Sequence, residues 1–169
     1  MARLFLAVWP PANVFEQLDA LPRSDQPGVR WVPPANWHVT LRFFGEAEAS
    51  DVHAGLADAT LPAATAIFGP AVRRLGRSAL VVPVAGLERL AAAISAVTVD
   101  IGDPPDTRSF NGHLTLARLR PPSRGDLAGT PIAARCPVTE VVLVRSDLGH
   151  DGATYDVVDR WVVDRRPTV

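Results

Sequence analysis

The chain has 169 residues, 47% of them apolar and 21% charged, an ordinary globular balance in a chain long enough to bury a core without staples. Its formal net charge is −1, so no overall basic field draws nucleic acid, and any anion site must be local. All 17 basic residues are arginine, which excludes a lysine nucleophile or a Walker-type phosphate lysine. The single cysteine, Cys136, excludes an internal disulfide and a cysteine zinc site and fits a reducing, cytoplasmic setting.

The run from Ala2 to Trp9 is apolar, rich in β-forming residues and closed by Pro10-Pro11, which predicts a strand. Its apolar part is too short to span a membrane, and it lacks the cleavage site of a leader. Val14, Phe15, Leu18 and Leu21 recur at helical spacing over Ala12 to Leu21. Val29 to Val32 reads as a short strand before two prolines. His38 to Phe44 reads as a strand closed by Gly45. Ser50 and Asp51 are N-cap candidates for a helix running towards Thr60.

Thr65 to Leu75 and Ala79 to Ala85 read as two strands joined at Gly76, and Leu87 to Val97 as a helix. Asp100 to Gly112 is a loop dense in Gly, Pro and Asp. His113 to Leu119 is the next strand. Pro121 to Pro131 is a loop with room for one helical turn. Val138 to Val144 and Thr154 to Val163 are the last strands, joined by the glycine-bearing turn DLGHDG. Several strands follow one another too closely for parallel crossovers. The fold class predicted is therefore α+β: bilobal, with two mainly antiparallel sheets lining a central cleft and helices outside, in one domain over 1–169.

Two of the four histidines share a frame: WHVTL contains His38 and Thr40, and GHLTL contains His113 and Thr115. Alternate strand residues share a face. His38, Thr40 and Arg42 thus point one way, and Val39, Leu41 and Phe43 point into a core. His113 and Thr115 likewise lie opposite Leu114 and Leu116. Side by side, the strands bring together two imidazoles able to divide acid and base work near neutrality and two hydroxyls able to donate to phosphoryl oxygens. That set suits phosphodiester cleavage and needs no metal.

These stretches closely resemble the two-histidine phosphoesterase superfamily, and within it the LigT-like RNA 2',3'-cyclic phosphodiesterases, also called 2'-5' RNA ligases. RLFLAVWPP resembles their opening strand, VPPANWHVTLRFFGE their first motif and FNGHLTLARLR their second. VTEVVLVRSDLGHDGATYDVVDRWVVD, with Ser146 and Tyr155, resembles their closing strand pair. The resemblance implies hydrolysis of an RNA terminal 2',3'-cyclic phosphate to a 2'-phosphomonoester, with reverse 2'-5' joining in some members. No cofactor or metal is implied. The expected partner is RNA or a nucleotide with that terminus, bound by a monomer with no membrane contact.

Carried over, His38 is the general acid, His113 the general base, and Thr40, Thr115 and Arg118 bind phosphate. Strand spacing alone does not assign acid and base. Regular alternation turns Arg118 away from His113, so a bulge or the strand's end must re-aim it. Arg42 has cleft parity but equally suits a solvated strand end. Gly112 stands where the family usually has proline.

His53 reads as structural or solvated, and His150 beside Asp147 and Asp151 as turn chemistry rather than a metal site. Arg108, Arg118, Arg120 and Arg124 form the basic bias expected to track RNA. Arg73, Arg74 and Arg77 suit either phosphate contact or a solvated face. Phe43 reads as core; Trp37, Phe44, Phe110 and Tyr155 are base-stacking candidates. Two rivals stay open. One is a non-catalytic nucleotide- or RNA-binding module on the same fold. The other is a two-histidine enzyme for another cyclic phosphate or a 2'-5' oligonucleotide.

Overall fold

Leu4 to Val8 are buried without a break because the first strand runs through the interior of a sheet and is covered on both faces. A computed structural model describes residues 2–163. Its strands are β1 (Ala2–Val8), β2 (Val29–Trp31), β3 (Val39–Ala47), β4 (Thr65–Phe68), β5 (Arg73–Leu75), β6 (Ala79–Ala85), β7 (His113–Leu119), β8 (Ala134–Pro137), β9 (Glu140–Gly149) and β10 (Gly152–Val162). The helices are α1 (Ala12–Asp19), α2 (Ala49–Leu56) and α3 (Glu88–Val97), with a 3-10 turn at Pro34–Asn36. No helix among the described residues is long and apolar enough to cross a membrane.

The strand order is β10-β9-β1-β3-β7-β6-β4-β8, with β2 added to β7 and β5 to β6. Every pairing is antiparallel. One continuous ten-stranded sheet runs through the molecule. Its two halves join where β3 meets β7 through one pair, Val39 with Leu114, and the histidine strands lie on either side of that seam. One apolar cluster holds Leu4, Leu6 and Val8 together with Val14 and Leu18 of α1, Val52 and Leu56 of α2, and Leu90 and Ile94 of α3. The helices therefore cover one face. On the other face Phe5, Ala7, Val142 and Val144 form a smaller cluster with Trp9 and Tyr155 against it.

Several boundaries differ from the predicted ones. The stretch Thr65 to Leu75 is two strands, because Gly69 and Pro70 interrupt it and proline has no N–H for a ladder. Ala134–Pro137 is a strand on the edge of β4, its short ARCP sequence carrying little β signal. α2 begins at Ala49, so Ser50 and Asp51 sit in its first turn rather than at its cap; there Asp51 still complements the helix dipole. The Pro121 to Pro131 loop forms turns without a helical one.

Candidate active site

The first histidine strand alternates as expected only as far as Thr40. Pairing with β1 steps from Ala7–Thr40 to Leu6–Arg42, leaving Leu41 as an extra residue, and from Phe5–Phe43 to Leu4–Gly45, leaving Phe44 as another. Each bulge moves the following side chains to the other face. Arg42 is therefore buried rather than in the cleft. Its guanidinium donates to the carbonyls of Phe43 (2.5 Å), Asp103 (2.5 Å) and Ile101 (3.2 Å) and lies over the Phe44 ring. Phe43, expected in the core, is 43% exposed and lines the cleft. Phe44 and Trp37, offered as stacking candidates, are core residues.

A third bulge decides the position of Arg118. β6 pairs Val81 with Thr115 but Leu80 with Ala117, so Leu116 has no partner on β6. Leu116 and Ala117 are consecutively buried, and Arg118 emerges on the His113 and Thr115 face. All five residues named from the sequence, His38, Thr40, His113, Thr115 and Arg118, line one cleft of about 520 Å³. Antiparallel pairing about Val39–Leu114 sets His38 beside Thr115 and Thr40 beside His113 in an approximately two-fold arrangement.

The two imidazoles are fixed in the same way. Nδ1–H of His38 donates to the Asn36 carbonyl at 2.7 Å, and Nδ1–H of His113 donates to the Asn111 carbonyl at 2.8 Å. A carbonyl only accepts, so each Nδ1 keeps its proton and Nε2 is the nitrogen left for chemistry. His38 Nε2 lies 3.1 Å from Thr40 Oγ1. The residues that fix the rings were not singled out from the sequence, although the signal was there. Both copies read Asn-x-His-x-Thr-Leu, Asn36 in the first and Asn111 in the second.

His38 sits among aromatic rings, with centroids at 4.8 Å for Phe5, 5.3 Å for Tyr155 and 5.9 Å for Trp9. Burial lowers its pKa below the ordinary 6.5; the Asn36 hydrogen bond works against this, and the charges of Arg118 and His113 lower it further. Burial raises the Tyr155 phenol, with Arg118 opposing, so Tyr155 is a neutral hydroxyl in the cleft.

Arg3, Arg30 and Arg118 line the cleft with His38, His113 and His150, and among the described residues no carboxylate does. A chain of net charge −1 thus concentrates cations at one place, where low-dielectric walls strengthen the field. The expected basic track is corrected here. Of Arg108, Arg118, Arg120 and Arg124 only Arg118 lines the cleft, and Arg108 is paired with Asp106 at 2.6 Å. Arg3 and Arg30 come from distant strands and were not found in the sequence. His150, read there as a turn residue, reaches the cleft because the β9–β10 hairpin folds over it, with Asn36 Nδ2 donating to the Ala153 carbonyl at 2.9 Å. His53 is an exposed helix residue bonded to Asp159. Among the described residues no three His, Cys, Asp or Glu gather as a metal-ligating group.

Comparison with known proteins agrees with this geometry. The family described as "LigT like Phosphoesterase" matches residues 8–67, which include the first histidine strand. No curated protein matches the chain significantly. Solved structures match over almost its whole length. TT0787 of Thermus thermophilus is 27% identical with a TM-score of 0.75, over 95% of this chain and 97% of that one. A crystal structure described as a phosphoesterase is 25% identical with a TM-score of 0.76, over 97% and 99%. E. coli LigT complexed with 3'-AMP is 24% identical with a TM-score of 0.77, over 97% and 99%, a likeness of fold.

Proposed function

We propose that the chain is a LigT-like member of the two-histidine phosphoesterase superfamily and that it hydrolyses the terminal 2',3'-cyclic phosphate of RNA to a 2'-phosphomonoester without a metal ion. One observation carries the reading. Two imidazoles, each with Nδ1 anchored on a backbone carbonyl so that Nε2 is the nitrogen left for chemistry, share a cleft with two threonines and Arg118 and, among the described residues, with no carboxylate. E. coli LigT has been solved with 3'-AMP, with phosphate and with ATP, which supports a phosphorylated nucleotide as the ligand.

In the proposed reaction His113 Nε2 takes a proton from water as the water oxygen bonds to phosphorus. The bond from phosphorus to the 3'-oxygen breaks, and His38 Nε2 gives that oxygen its proton. Thr40, Thr115 and Arg118 hold the non-bridging oxygens as negative charge grows on them. The assignment of acid and base follows the family. One observation favours the reverse assignment: burial and Arg118 hold His38 towards its neutral form in the free protein. A bound phosphate anion offsets the Arg118 charge and favours the imidazolium, which reconciles the lowered pKa with an acid role.

The test is phosphorus NMR of the product formed from an oligoribonucleotide ending in a 2',3'-cyclic phosphate, in the presence of EDTA. A 2'-phosphomonoester is expected. A 3'-phosphomonoester, or an intact cyclic phosphate, would contradict the reading. Binding without turnover would favour the non-catalytic rival.

A further inference from the structure

Arg30 and Arg118 face each other directly across the β2–β7 ladder, and both line the cleft. Like charges directly opposed on a ladder are destabilising. Among the described residues neither has an ion pair or hydrogen bond, and no carboxylate among them lines the cleft to offset the two charges. Arg30 also reaches the β9–β10 hairpin. Its terminal nitrogen lies 2.6 Å from where a Cβ on Gly152 would stand, so the guanidinium rests against the base of the β9–β10 turn. Gly152 has a φ of +118, a conformation that independently favours glycine.

A terminal cyclic phosphate carries one negative charge. The catalytic constellation already offers it Arg118, two hydroxyls and an imidazolium, so Arg30 is a cation in excess of what that group neutralises. A polynucleotide supplies the missing charge, since each further nucleotide brings another phosphate. We infer that Arg30 forms a second anion subsite, which holds the phosphodiester next to the reacting terminus and makes an oligoribonucleotide, rather than a mononucleotide, the favoured substrate class. The inference rests on the proposed function, in that it takes the first subsite to hold a terminal phosphate. Trp31 and the hairpin residue His150 line the same cleft, beside the path of such a strand.

The experiment compares the affinities of a trinucleotide and a mononucleotide, each ending in a 3'-phosphate, for the wild-type chain and for Arg30→Gln. Wild type should prefer the trinucleotide by about tenfold or more, the scale of one charged hydrogen-bonded contact. Arg30→Gln should abolish most of that preference and flatten the salt dependence of trinucleotide binding by about 0.7 in log–log slope. If Arg30→Gln weakens both ligands equally, Arg30 serves the terminal phosphate and the inference is wrong. If wild type binds both ligands alike, the inference fails while the functional reading stands. If neither ligand binds, both fall together.

Discussion

Phe5, Trp9 and Tyr155 enclose His38, and Arg118 and His113 add positive charge beside it. Removing water from an imidazole disfavours its charged form, and a neighbouring cation does the same. Burial is the larger cause and is built into the fold. The Arg118 contribution can be removed by substitution. In Arg118→Gln the His38 ring should titrate at higher pH than in wild type, as followed by proton NMR of the ring Cε1–H. An unchanged or lower titration would show that the Arg118 charge does not reach His38. Added phosphate should move the wild-type titration in the same upward direction, because an anion in the cleft opposes Arg118.

At the scale of elements, three bulges set which side chains reach the cleft. The one at Leu116 delivers Arg118 to the site, and those at Leu41 and Phe44 bury Arg42 and expose Phe43. The start of β7 is positioned just as closely. Gly112 is buried, and a Cβ there would stand 2.3 Å from the Val84 carbonyl oxygen, whose residue's N–H bonds the Gly112 carbonyl at 2.9 Å. Gly112→Ala therefore forces β6 and β7 apart beside the Asn111 carbonyl that anchors His113. It should cost about 1–3 kcal/mol, seen as a fall of several degrees in Tm at about 2–4 °C per kcal/mol for a chain of this size. A Tm equal to wild type would show that the strands yield without strain.

The same bulges explain what could be read in the sequence and what could not. Period-two alternation placed His38, Thr40, His113 and Thr115 on the cleft face and Val39, Leu41, Leu114 and Leu116 in the core. It failed for Arg42 and Phe43, which follow an extra residue. A bulge arises from how a strand registers with its partner, and the partner residues Leu6 and Leu80 lie far away in sequence. Arg118 was legible only as a conflict between alternation and chemistry. Arg3 and Arg30 gave no local signal, because their meaning comes from the cleft that assembles around them.

Over the whole molecule, the two halves of the sheet pair through Val39 and Leu114, and the candidate catalytic set straddles that pair. Each half supplies one histidine and one threonine, so the site depends on the register in which β3 meets β7. Charge is distributed to match. A net charge of −1 coexists with a cleft lined, among the described residues, by three arginines and no carboxylate, which favours an anionic ligand there without making the whole surface adhesive to nucleic acid. The central claim is that the two imidazoles divide one proton-transfer cycle between them. The direct measurement is single-turnover hydrolysis of a 2',3'-cyclic-phosphate oligoribonucleotide in EDTA by wild type, His38→Ala and His113→Ala. Turnover by wild type and a loss of about 10²–10⁴-fold in each variant are expected; wild-type rates in both variants would contradict the claim.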